Sequence, residues 1–72
     1  MIHIGSIIRQ RLKEKGKTVV WLAHEISYSR IGIYKIFERY SIDTELLRRI
    51  SAAMNEDFFR IYSEELEKSR TK

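Results

Sequence analysis

The sequence predicts an all-α, single-domain protein of five short helices, and three observations predict it. Apolar residues recur three and four positions apart through most of the chain, the period of a helix packed on one face. Polar residues suited to capping, Thr18, Ser29 and Asp43, stand just ahead of three of those apolar stretches. The chain has no Pro and only three Gly, too few turn formers for a β-rich fold. At 72 residues it is near the lower limit for a single apolar core unaided by disulfides or metals, and with no Cys it has no bridge or thiolate site.

Helix one is expected over Ile4 to Lys15, with Ile4, Ile7, Ile8 and Leu12 inward, Arg9, Arg11, Lys13 and Lys15 on or beside the wet side, and Gly16 as the stop. Thr18 caps helix two, Val19 to Ile26, and Ser27 and Tyr28 form a tight turn. Ser29 caps helix three, Arg30 to about Arg39. Asp43 caps helix four, Thr44 to Met54, whose inward face is Leu46, Leu47, Ile50, Ala53 and Met54. Asn55 is read as the cap of helix five, with Glu56 and Asp57 in its first turn, where the helix dipole favours acids. Phe58, Phe59 and Tyr62 give that helix an apolar side that Leu66 continues. The last residues, ELEKSRTK, have nothing left to bury; they fray, or they begin a segment that packs only on another chain.

Function is sought on helix three. On a wheel of about 100° per residue, Ile33, Ile36, Phe37 and Tyr40 share one arc, and Arg30, Ile31, Tyr34, Lys35 and Glu38 share another. The first arc is core. A plain solvated face seldom carries Ile31, Gly32 and Tyr34 together, and Gly32 costs a helix about 1 kcal/mol relative to Ala. Charge points the same way. Residues 1–40 carry net +5 and residues 41–72 net −1, so the positive excess lies wholly in the half that holds this helix. Such an asymmetry attracts polyanions. Arg30 can fork onto a guanine edge, Lys35 can reach a base or a phosphate, Ile31 can meet a thymine methyl, and Tyr34 can donate to phosphate or pack on a sugar.

The segment Thr18–Tyr40, TVVWLAHEISYSRIGIYKIFERY, with its flanking helices resembles the lambda-repressor/Cro-like (XRE-type) helix-turn-helix family over about residues 4–62. Ala23, Ile33 and Ile36 match that family's packing positions, KTVVWLAHEI its second helix, and SIDTELLRRISAAMNEDFF its fourth and fifth. The resemblance implies a compact five-helix domain in which helices two and three form a helix-turn-helix that binds operator DNA, usually as a homodimer. Carried onto matching positions, base contacts fall to Arg30, Ile31, Gly32, Tyr34 and Lys35, and phosphate contacts to Thr18, Val19, Ser29, Arg39 and Tyr40. Three departures from the pattern stand out. Ser27 stands where the turn usually has a left-handed Gly. Val19 stands where Gln is frequent, so only its backbone N–H can serve. Tyr40 and Ser41 replace a Gly-containing loop.

The remaining chemistry is sparse. His3 and His24 have no neighbouring ligand cluster and read as surface or packing residues; no metal, cofactor or small-molecule ligand is expected. No Ser, Thr or Lys has a base and an orienting partner, so no catalytic residue is assigned and an enzyme is not expected. Trp21 is read as packing on a neighbouring helix, with an indole near the DNA backbone as the alternative. Phe58, Phe59 and Tyr62 serve either the internal core or a dimer contact. No apolar run approaches the roughly 20 residues of a membrane span, and no signal-peptide core is seen, so a cytoplasmic protein without a membrane partner is expected. The expectation is thus a helix-turn-helix domain over residues 1–66 with a charged tail at 67–72. It would be a sequence-specific transcriptional regulator of the repressor type, binding double-stranded DNA as a homodimer on an inverted repeat. The rival is a protein-interaction module, antitoxin-like or an adaptor, which Ile31, Tyr34 and Glu38 would also suit.

Overall fold

The computed structural model describes residues 1–70. Five helices follow in order: α1 (Ile4–Glu14), α2 (Val19–Glu25), α3 (Arg30–Phe37), α4 (Thr44–Met54) and α5 (Phe59–Arg70), with no strand among the described residues. α3 packs against both α1 and α2, and α2 packs against α4. Ile4, Ile8 and Leu12 of α1 meet Leu22, Ala23 and Ile26, then Ile33, Ile36 and Phe37, then Leu46, Leu47, Ile50 and Met54. Each fully buried aliphatic side chain contributes about 1.5–3 kcal/mol of transfer free energy. No polar or charged side chain is buried among the described residues.

The caps explain where the helices begin. Thr18 Oγ1 accepts from the Trp21 N–H (3.0 Å), Ser29 Oγ from Gly32 N–H (3.0 Å) and Asp43 Oδ1 from Leu46 N–H (2.7 Å). Three helices stop in the same way, with a left-handed residue after the last turn. At the end of α1, Gly16 (φ 70°) donates to the Lys13 carbonyl and Lys17 to that of Leu12. At the end of α2, Ser27 (φ 57°) donates to His24 and Tyr28 to Ala23; at the end of α4, Asn55 (φ 52°) donates to Ala52 and Glu56 to Ser51. This paired pattern satisfies carbonyls that a helix end otherwise leaves free.

Helices one to four keep the expected register, but helix three is shorter than expected: Glu38 is its cap, Arg39 lies beyond it, and Tyr40, expected on the core arc, is 62% exposed past its end. The start of α5 is a correction. Asn55 does not cap helix five; it terminates α4, because a short amide side chain tolerates the left-handed region as well as it caps. Glu56 and Asp57 therefore lie in the connection. Glu56 pairs with Arg11 and Lys15 of α1, and an Asp57 carboxylate oxygen accepts from Phe59 N–H (3.1 Å).

α5 is anchored by Phe58 just before it and by half-buried Ile61 and Tyr62. Every residue from Ser63 to Arg70 is exposed, yet the helix runs unbroken through the expected tail boundary after residue 66. Residues 71–72 of that tail lie outside the described residues. The molecule measures 42 × 20 × 20 Å with a radius of gyration of 12.6 Å, above the roughly 11 Å of a compact chain this long.

Candidate nucleic-acid interface

α3 presents two distinct sides. Ile33, Ile36 and Phe37 are buried, while Arg30, Ile31, Tyr34 and Lys35 are all exposed, Ile31 to 69% and Tyr34 to 53%. These four members of the expected base-contacting set therefore share the helix's outward side. Tyr34 is held there by an edge-on contact with Phe37 (ring centroids 6.0 Å apart). Gly32, the fifth member, is placed differently. A Cβ built on it would lie 3.1 Å from a ring carbon of Tyr28 and 3.3 Å from Ser29 Oγ. The glycine makes room for a side chain of this molecule.

The expected phosphate set divides. Thr18 is exposed at the start of α2 and Val19, beside it, is half-buried. Both line a shallow groove with Arg9, Lys13, Lys17 and Tyr34, which brings the beginning of α2 to the outward side of α3. Ser29 and Arg39 are exposed at the two ends of α3. Tyr40 sits in another groove, lined also by Ile2 and Tyr62, with its ring 4.3 Å from that of His3. His3 itself is the cap of α1: its Nδ1 accepts from Ser6 N–H (3.0 Å).

The cations sort by partner. Arg11 and Lys15 face Glu56, Arg48 faces Glu45, Arg60 faces Glu64 and Arg70 faces Glu67. The Arg48 hydrogen bond, with the nearby Arg48 and Arg49 charges, holds the Glu45 carboxyl below its ordinary value. Arg9, Lys13, Lys17, Arg30, Lys35 and Arg39 pair with no carboxylate among the described residues. Arg9 lies over the Phe37 ring (5.9 Å) and Lys17 over Trp21 (5.0 Å), contacts that leave their charges uncompensated. Positive charge thus accumulates along the groove that runs from α1 past the start of α2 to Tyr34. Arg9, Lys13 and Lys17 were not among the candidate site residues read from sequence; their i, i+4, i+8 spacing in the basic half was the available signal for their grouping.

Of the residues expected at either a core or a dimer contact, Phe58 is fully buried inside this chain (0% exposed). It is corrected to a core residue, because the connection after Asn55 turns its ring under the bundle before α5 begins. Phe59 is 36% exposed and Leu66 63%, with half-buried Tyr62 between them. Phe59 and Tyr62 also line an apolar groove with Ile42 and Leu47. Among the described residues no group of three or more His, Cys, Asp or Glu is placed to hold a metal ion, and no helix is long and apolar enough to cross a membrane. No family model matches the chain, and neither a curated protein nor a solved structure matches it.

Proposed function

We propose that this chain is a sequence-specific DNA-binding regulator of the lambda-repressor/Cro-like kind, with α2, the turn and α3 acting as a helix-turn-helix. The observation that carries the reading is the coincidence of uncompensated cations with the outward side of α3. Arg9, Lys13 and Lys17 share a groove with Tyr34, and Arg30, Ile31 and Lys35 stand exposed on the same helix. A duplex lying against this side would meet phosphate-neutralising charge at its edge and a forked donor, an apolar group and a phenol at its groove. α3 enters the major groove by its N-terminal end while the start of α2 crosses the backbone. Arg30 reads a guanine edge, and Arg39 holds a phosphate. A two-fold homodimer formed through the exposed side of α5, with Phe59, Tyr62 and Leu66, places two such helices on successive turns of an inverted repeat. Repression follows where the bound site overlaps a promoter.

Titration with random duplex DNA tests this directly. Micromolar or tighter binding that collapses with added salt is expected, and selection from a random duplex pool should return an inverted repeat. Arg30→Ala should then lose about 1–3 kcal/mol on the selected site and relax one base pair of its specificity. A second reading is favoured by exposed Ile31 and by Val20, 57% exposed on α2, which would suit an adaptor that docks this side on a protein. It requires random-duplex affinity close to nil.

A further inference from the structure

Two helices meet at one partly exposed aromatic ring in the turn after α2. Tyr28 follows the left-handed Ser27, and its N–H donates to the Ala23 carbonyl (2.8 Å). Its ring lies over Gly32 of α3, with a ring carbon 3.1 Å from where a Cβ would stand. From α4, the half-buried Arg49 donates to the Ile26 carbonyl at the end of α2 and sets its guanidinium 5.9 Å from the centre of the Tyr28 ring. The ring thus bridges α3 and α4 at the turn, and Gly32 is the position whose missing side chain lets it seat.

We infer that Tyr28 and Gly32 form a positioning pair, backed by Arg49, that sets the first turn of α3 and so aims Arg30 and Ile31 at base edges. The inference rests on the DNA-binding reading. It replaces a direct role for Gly32 at DNA with an internal one. The carriers of specificity are Arg30 and Ile31, two and one residues before Gly32. A few tenths of an ångström forced on the ring is returned to α3 at Arg30, which must meet hydrogen-bond geometry, and at Ile31, which must meet a methyl. The cations on α1 and the start of α2 lie outside this turn and only Ser29, whose Oγ would stand 3.3 Å from the added Cβ, lies within it, so most of the sequence-independent affinity is not expected to follow.

A double-mutant cycle tests the pair. Gly32→Ala adds helix propensity as well as a Cβ, but that gain is common to both backgrounds and cancels. In the full-length protein, Gly32→Ala should weaken binding to the selected operator about three- to tenfold while random-duplex affinity holds. In a Tyr28→Ala background the same change should cost less than about twofold. Tyr28→Phe, which keeps the ring, should bind like the unaltered protein. Urea unfolding of the four proteins of the cycle, Tyr28→Phe aside, should show coupling between the two positions as well. Equal losses from Gly32→Ala in both backgrounds would assign the glycine to the DNA surface itself and overturn the inference. Coupling seen in unfolding without coupling in operator affinity would overturn it too, by making the contact merely structural. If the unaltered protein binds no duplex, the functional reading falls and takes this inference with it; binding without coupling removes the inference alone.

Discussion

Ser27 holds a left-handed backbone (φ 57°) that costs a residue with a side chain about 1–2 kcal/mol. The conformation is imposed by the stop of α2, where Ser27 and Tyr28 close back on His24 and Ala23. Ser27→Gly removes the steric cost and gives back part of it as extra freedom in the unfolded chain. A net gain of about 0.5–1 kcal/mol is expected in urea unfolding. Ser27→Val should destabilise by more than that gain, since a branched side chain fits this region worst. The left-handed backbone here was an expectation of the sequence, drawn from the resemblance to a family that usually has Gly at this position. That of Asn55 was not, because its side chain suits a helix start and a left-handed stop alike, and only the tertiary pull of Phe58 into the core decides between them. His3 escaped for a related reason: a histidine is a rare cap, and here it caps α1 with the Tyr40 ring lying against it.

Between elements, the tightest crossing is that of α1 on the end of α3. The Ile4 and Gly5 N–H groups, which a helix start leaves unpaired, donate to the Tyr40 (3.1 Å) and Arg39 (3.0 Å) carbonyls. A Cβ on Gly5 would come within 3.0 Å of the Ile36 and Phe37 carbonyl oxygens, so no side chain fits without moving one helix. Gly5→Ala should destabilise by about 2 kcal/mol, near the middle of the range for overpacking. Although alanine favours a helix interior, that preference amounts to about 1 kcal/mol and loses. Chemical unfolding checks the sign, and a neutral or stabilising result would mean that α1 can slide. Helix registers were readable because apolar spacing and caps are local signals. Gly5 was not, since nothing in the residues around it says that another backbone arrives there. The same limit applies to Gly32, whose closeness to the Tyr28 ring is not signalled by the residues around it.

Across the whole molecule, the net charge of the first 40 residues was plain in the sequence, but which cations remain uncompensated was not. Ion pairing decides it: Glu56 crosses from the connection before α5 to cover Arg11 and Lys15, leaving Arg9, Lys13 and Lys17 along the groove beside Tyr34. That division separates two lysines at the end of α1, Lys13 in its last turn and Lys15 at its cap, two residues apart. Lys13 and Lys15 have the same charge and both are exposed, yet only Lys15 already faces a carboxylate (3.3 Å). Each phosphate contact adds about 0.9 to the slope of log affinity against log salt on B-DNA. Removing Lys13 and Lys17 together, as Lys13→Gln with Lys17→Gln, should lower that slope by nearly 2 per bound protomer. The loss should be alike for every sequence, and stability should stay within about 0.5 kcal/mol because both side chains are at the surface. Lys15→Gln should leave the slope nearly unchanged, its charge being spent on Glu56. Equal slopes for the two variants would show that the DNA backbone does not run along this groove, and a loss confined to the selected site would move Lys13 or Lys17 from the phosphates to the bases.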